Sequence, residues 1–208
     1  MVTAADPGET RTSVWLATRP TRRRSEAPSG LDRERIIEAT VRLLDTDGLT
    51  RFSMRRLGAG LGVTAMSLYW YVDTKHDLLE LALDRALGEL VLPEPGTAGE
   101  AGDAAWPGGL RALARGYHRL LADHPWVAPL TAAYPNVGPH ARAFDGALQQ
   151  LLDATGLTGA ARAGAHLAVS QFLHGCGGAA RRAPEADFCF AVDVLVAGIE
   201  AKATAATA

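Results

Sequence analysis

The sequence is poor in several things, and each shortage excludes something. Two cysteines in 208 residues cannot supply a disulfide framework. Cys176 and Cys189 read instead as small core residues of a reduced chain. Long apolar runs are missing as well. The densest, Leu78 to Leu92, is interrupted by Asp84, Arg85 and Glu89 and stopped by Pro93, well short of the roughly 20 residues that a membrane span needs. Asp6 and Glu9 stand where an export signal would turn positive and then apolar, so a cytoplasmic setting with no membrane partner is expected. No glycine-rich phosphate loop, HExxH pattern or strand–turn–helix nucleophile elbow occurs. Ser170 beside His166 or His174, and Cys176 as a thiol, lack any such companion, so no enzyme activity, no metal site and no cofactor are expected. Net charge is small at −2, but unevenly spread: residues 1–75 carry +3 and residues 76–208 carry −5. A basic front and an acidic rear suit a chain that shows one end to a polyanion.

What is present is helical punctuation. Residues 1–30 hold three prolines and the cluster Arg19, Arg22, Arg23 and Arg24 without helical or strand period, and read as a flexible arginine-rich arm. Asp32 then caps a helix with Glu34 in its first turn and Leu31 and Ile36 at hydrophobic-staple spacing. That helix ends at Gly48. Ser53 caps a second helix, with Phe52 and Leu57 as its staple, and Gly62 closes it. Thr64 caps a third, very short helix stapled by Val63 and Leu68. Thr74 and Asp77 have capping-box spacing at the head of a longer helix with Leu78, Leu81, Ala82, Ala86 and Leu90 on its apolar face. Two short helices joined near Gly62, with longer helices on either side, have the pattern of a helix-turn-helix unit.

The third helix gives that pattern a use. At about 100° per residue, Leu68 and Val72 share the buried side, leaving Ala65, Met66, Ser67, Tyr69 and Tyr71 directed elsewhere. Solvent-facing tyrosines add little stability to so short a helix. In a DNA major groove, however, hydroxyls donate to phosphates and a small residue such as Ala65 approaches thymine methyls. Among the aromatics, Trp70 is expected to be partly structural. Arg55 is placed for a bidentate pair with a guanine edge, and Arg56 and Lys75 for phosphates. A helical interaction module without DNA binding is the alternative, and it leaves these exposed groups without a role.

Residues 31–92, above all Gly48-Leu49, Ser53-Met54-Arg55-Arg56-Leu57, Leu61-Gly62-Val63 and Leu68-Tyr69-Trp70-Tyr71-Val72-Asp73-Thr74-Lys75-His76-Asp77-Leu78-Leu79, resemble the DNA-binding domain of the tetracycline-repressor (TetR) family, in the branch carrying Leu-Tyr-Trp. The resemblance implies an all-α homodimer: an N-terminal three-helix DNA-binding domain over 31–76, joined by a long helix to an effector-binding and dimerisation domain over 77–208. It also implies a recognition helix at 64–70, base contact at Arg55 and phosphate contact at Ser67, Tyr69, Tyr71 and Lys75. Thr64, Ala65, Met66 and Trp70 complete the expected operator face. Two departures stand out. Gly58 and Gly60 lie inside the second helix, where each costs up to about 1 kcal/mol against Ala, and the third helix lacks a long amide side chain to read adenine.

Helices are also expected at about 109–123, 126–133, 139–154, 159–182 and 186–203, after a Pro- and Gly-rich boundary at 93–109. His124-Pro125-Trp126 and Asn136-Val137-Gly138-Pro139 resemble elements of actinobacterial-type ligand domains. The family arrangement then nominates Tyr117, Trp126, Tyr134, His166, Ser170, Gln171 and His174 for an unidentified small-molecule effector, with Trp106 and Phe172 near it. Plain packing competes for each of these, and the face shared by His166, Ser170 and His174 suits either a pocket or a dimer interface. Phe188, Val192, Leu195 and Ile199 form the stripe expected to pair with a second subunit.

Overall fold

The computed structural model describes residues 13–16, 31–93, 105–177 and 184–207. Every regular element among them is a helix: α1 Arg33–Asp47, α2 Met54–Leu61, α3 Ala65–Leu68, α4 Lys75–Leu87, α5 Ala105–Asp123, α6 Val127–Ala133, α7 Pro139–Asp153, α8 Gly159–Gly175 and α9 Glu185–Thr207. The first four begin where short polar side chains meet orphan backbone donors. Asp32, Ser53, Thr64 and Thr74 accept from the amides of Arg35, Arg56, Ser67 and Asp77, the positions those residues satisfy at helix starts. Gly62, at φ +70°, ends α2 in the left-handed region, which a side chain would strain.

Burial follows the apolar stripes. Ile36, Leu44, Leu57, Leu68 and Leu78 are all but inaccessible and join α1–α4 into the smaller end of one continuous core. α4 is buried on most of its surface, including Asp77, Glu80 and Asp84, because α1 covers one side of it and α6 and α7 the other. Its buried acids are used. Asp84 accepts from the amides of His140 and Ala141 at 3.0–3.3 Å, so a carboxylate on α4 caps the positive end of α7.

Glu80 holds part of the segment expected to be a flexible arm. Ser13 to Leu16 form a turn in which the Ser13 hydroxyl and the Val14 amide donate to the Glu80 carboxylate, the latter at 2.9 Å. The arginine cluster at 19–24 lies outside the described residues.

α5 starts at Ala105, inside the stretch expected to be a loop. Pro107 sits in its first turn, where no backbone donor is required. Gly109, which reads as a breaker, lets α5 approach Leu151 of α7 more closely than a side chain would permit. α8 ends at Gly175, and the remainder of the expected 159–182 helix falls outside the described residues beyond Gly177. Both cysteines are free, Cys176 within the core and Cys189 partly exposed.

The C-terminal stripe requires a correction. Phe188, Val192 and Ile199 are buried at 4–6% exposure in the chain's own core, so they are covered within the chain, and Leu195 is half-buried. Phe188 stacks on His118 at 4.2 Å and lies 5.5 Å from Phe172, and Arg111 pairs with Asp193 at 2.6 Å, which fastens α9 to α5 and α8. The 3.6-residue period identified an apolar stripe without saying which protein it meets. On these two helices, the exposed large apolar side chains among the described residues are Leu167 on α8 and Phe190 and Val194 on α9.

Candidate nucleic-acid interface and inner cavity

Gly58 is the hinge point of the α2–α3 corner. A β-carbon there would stand 2.8 Å from the Val63 carbonyl oxygen and 3.1 Å from the Ala65 amide, and the Gly58 carbonyl itself accepts from the Val63 amide at 2.9 Å. Gly60 faces open space. Of the two departures noted in the sequence, one is thus explained by close helix approach, and nothing in the structure explains the other.

The corner displays Met66 at 72%, Trp70 at 56% and Tyr69 at 39% exposure. Thr64 is exposed too, and its hydroxyl meets that of Ser67 at 3.0 Å; Ala65 and Ser67 are half-buried. The regular helix is only Ala65–Leu68, continued by a turn through Tyr71, so Tyr69, Trp70 and Tyr71 occupy a turn instead of the expected 64–70 helix. Trp70 is not the partly structural aromatic. That role falls to Tyr71, half-buried against the core.

Among the basic residues, Arg55 is exposed. Arg56 pairs with Asp47 at 2.5 Å and so braces α2 against α1. The Lys75 ammonium donates to the Phe52 carbonyl at 3.1 Å and lies 5.3 Å from the centre of the Phe52 ring, which holds the start of α4 to the start of α2 with donors to spare.

Between this corner and the rear helices is a junction absent from the sequence reading. His124 Nδ1 meets Asp45 of α1 at 2.6 Å and its Nε2 meets Glu89 at 3.1 Å. Trp126 Nε1 donates to the same Asp45 oxygen at 2.6 Å. Burial pulls the His124 imidazole down, but the two carboxylates outweigh it and its pKa stands above the ordinary value. Stabilisation from such a group is complete below the unfolded pKa of about 6.5 and is lost as pH rises through the higher folded value. His124→Asn is therefore expected to lose its deficit in melting temperature, relative to the parent, as pH climbs from about 6.5 through the raised folded value. The difference between the two proteins isolates His124, because His174, held down by burial, acts in the opposite sense. A deficit independent of pH would contradict the charged clamp.

The rear helices enclose a cavity of about 500 Å³, bounded by Leu87 of α4, Tyr117 of α5, Thr131 of α6, Phe144 and Leu148 of α7 and Ser170 of α8. This is the size and mixed lining of small-molecule sites. Of the seven effector candidates, Tyr117, Ser170 and His174 line it. The other four are not on its wall: Trp126 is in the junction; the Tyr134 hydroxyl is 3.1 Å from His76 Nδ1; His166 meets Asp145, which does line the cavity, at 2.8 Å; and Gln171 is exposed on α8. Trp106 is core.

Sequence reading noted Asn136 only within a resembling segment and gave it no role; its backbone is left-handed at φ 52°. Its amide donates to the carbonyls of Thr131 and Tyr134 at 2.7 and 2.9 Å, which shapes the cavity wall. Asparagine's tolerance of that backbone region was the available signal. Among the described residues no group of three His, Cys, Asp or Glu side chains is gathered for a metal ion, and no helix is long and apolar enough to cross a membrane.

Comparison with known proteins agrees with this division of labour. Residues 36–82 match the family described as bacterial regulatory proteins, tetR family, and residues 98–187 match the tetracyclin repressor-like C-terminal domain. The chain belongs to the TetR family. An HTH-type transcriptional regulator of Saccharopolyspora erythraea is 39% identical over 163 residues, 78% of this chain and 65% of that protein. The HTH-type transcriptional repressor DrrR1 of Streptomyces coeruleorubidus is 40% identical over 121 residues, 58% of this chain and 43% of its own length. The chain thus spans less than two thirds of the length of these TetR-family relatives, which are named as regulators or repressors. The solved structure of the Streptomyces coelicolor protein ActR in complex with actinorhodin superposes at TM-score 0.70 with 22% identity, covering 84% of this chain and 97% of ActR, and shares the fold. BioQ with its double-stranded DNA operator gives 0.67 at 25% identity over 82% and 99%.

Proposed function

We propose that the chain is a ligand-responsive transcriptional repressor that binds a palindromic operator as a homodimer and is released by a small-molecule effector in the inner cavity. The observation that carries this is the exposure of Met66, Tyr69 and Trp70 on a corner closely packed at Gly58, in the same chain as a helix-lined cavity. A short reading element contacts few base pairs. Two copies related by a two-fold axis read half-sites about 34–36 Å apart, or a multiple of it, and so multiply the discrimination. The relatives' names as repressors, ActR's complex with actinorhodin and BioQ's with its operator support both halves of the reading, as does the resemblance of Leu68-Tyr69-Trp70 to the tetracycline-repressor branch.

Within it, Arg55 reads a base, Thr64, Ala65, Met66, Ser67, Tyr69 and Trp70 lie in the groove, and Lys75 and Tyr71 reach phosphates. Arg56 serves chiefly through Asp47. Leu167, Phe190 and Val194 cover their counterparts in the second subunit. α4 is the mechanical link: it follows the reader directly through Thr74 and ends with Leu87 at the cavity. An effector acts by preferring one orientation of α4, and moving the competent population from 99% to 1% takes about 5.5 kcal/mol of preference, divided between two bound molecules. The experiment is a comparison of two variants on a selected operator and its single-base mutants. Arg55→Ala is expected to lose discrimination at one position per half-site, about 1–3 kcal/mol. Lys75→Ala should weaken all duplexes alike and lower the salt slope by about one for each phosphate no longer neutralised. Indistinguishable behaviour of the two would overturn the role assignment.

A further inference from the structure

Tyr117 is 2% exposed, lines the cavity, and its hydroxyl makes no hydrogen bond of ordinary geometry: the Thr131 side chain is close enough to act on it, but the Thr131 hydroxyl itself donates to the Ala128 carbonyl at 2.8 Å. A buried phenol with an unmade bond is an expensive thing to keep unless something visits it, since buried polar groups are otherwise nearly always paired. Its ring belongs to an aromatic cluster on the cavity wall: Phe144 lies 5.3 Å away at 31°, and His174 6.4 Å away, edge-on.

The surroundings carry little free charge. Burial drives the Tyr117 phenol up, with the nearby Thr131 side chain only partly opposing it. Burial also holds the His174 imidazole down although part of that residue is open to solvent, so both are neutral near pH 7. Asp145 is engaged by His166 at 2.8 Å and by Gln149 at 2.6 Å, and Arg142 lines the cavity with its side chain exposed, where solvent screens the charge. A charged ligand settling against the rings would lose its hydration for no buried counter-charge, whereas a flat ring system keeps its stacking contacts and meets one waiting donor.

We propose that the cavity takes a flat, uncharged aromatic ligand that presents a ring-borne acceptor oxygen to the Tyr117 hydroxyl. The inference rests on the cavity being the effector site, and it specifies what that site selects. Tyr117 is then the specificity-determining residue.

The test uses the full chain and three probes of one shape: 9-fluorenone, which carries a carbonyl; fluorene, which lacks it; and 9-fluorenone-4-carboxylate, which adds a charge. Affinities are read by quenching of intrinsic tryptophan fluorescence. Fluorenone is expected to bind about tenfold tighter than fluorene, the equivalent of one hydrogen bond, and the carboxylate weaker than fluorenone. Tyr117→Phe should erase the tenfold preference while leaving fluorene affinity unchanged. A ligand-free melting temperature no lower than the parent's shows that this variant has kept its fold. Equal affinities for fluorenone and fluorene, a preference that survives in Tyr117→Phe, or tightest binding of the carboxylate with its loss in Arg142→Ala would each overturn the proposal. The same titrations on operator-bound protein separate the two readings: Tyr117-dependent binding that leaves the operator in place sinks the effector role and supports the ligand class.

Discussion

Gly58→Ala is expected to cripple operator binding while Gly60→Ala leaves it intact. The added methyl at position 58 meets three backbone atoms of residues 63–65, Val63 O at 2.8 Å, Ala65 N at 3.1 Å and Thr64 C at 3.2 Å. No flexible side chain is present there to yield, so α3 must move away from α2. Overpacking of this kind costs about 1–3 kcal/mol of stability, which lowers the melting temperature of a chain this size by about 2–4 °C for each kcal/mol. The effect on DNA is larger. A displaced α3 loses registry with the base edges. Forfeiting one base-edge pairing of about 1–3 kcal/mol is doubled across a two-fold dimer, giving about 2–6 kcal/mol of operator affinity. At position 60 the methyl meets nothing, and the better helix former adds up to about 1 kcal/mol of stability. Melting curves and operator titrations of the two alanine variants check this, and equal losses at both positions would show that helix propensity, and not the close approach, governs the corner.

Phe190→Glu is expected to separate the subunits without unfolding them. Phe190 is 70% exposed on α9, beside Val194 at 56%, with Leu167 at 59% on α8; a group of exposed large apolar side chains marks an interaction surface. In a two-fold interface the substitution places two carboxylates on matching apolar patches and removes two aromatic anchors. Sedimentation should then report a monomer with the parent's helical circular dichroism. Operator affinity should fall by at least about a hundredfold, because the second half-site no longer adds its share. Val192→Asp supplies the contrast. Val192 is 4% exposed in the chain's own core, and burying an unpaired carboxylate there should melt the rear helices. A Phe190→Glu protein that stays dimeric would move the interface elsewhere.

The reader was legible in the sequence because its logic is local. Asp32, Ser53, Thr64 and Thr74 each announce a helix start within four residues, and all four cap as their spacing implies. The staples are equally local, with Phe52 and Leu57 both buried. What escaped was decided between distant segments. The Asp45–His124–Trp126 junction joins residues about eighty positions apart, and no periodicity carries that information. Pro107, Gly108 and Gly109 have the composition of a boundary yet open α5, because packing on Leu151 overrides propensity. The α9 stripe was visible, but an apolar face looks the same whether its cover is the same chain or another. Arg55 and Arg56 are neighbours of one chemistry, and only the position of Asp47 assigns them different work.

The central claim is that the face bearing Met66, Tyr69 and Trp70 enters duplex DNA. Selection of bound sequences from a random duplex library, at about 50–100 mM salt where phosphate contacts are strong, tests it most directly. Enrichment of one inverted repeat, with half-sites one helical turn or a multiple of it apart, is the result this account predicts. Retention of no duplex at all, or retention without any enriched sequence, would contradict it.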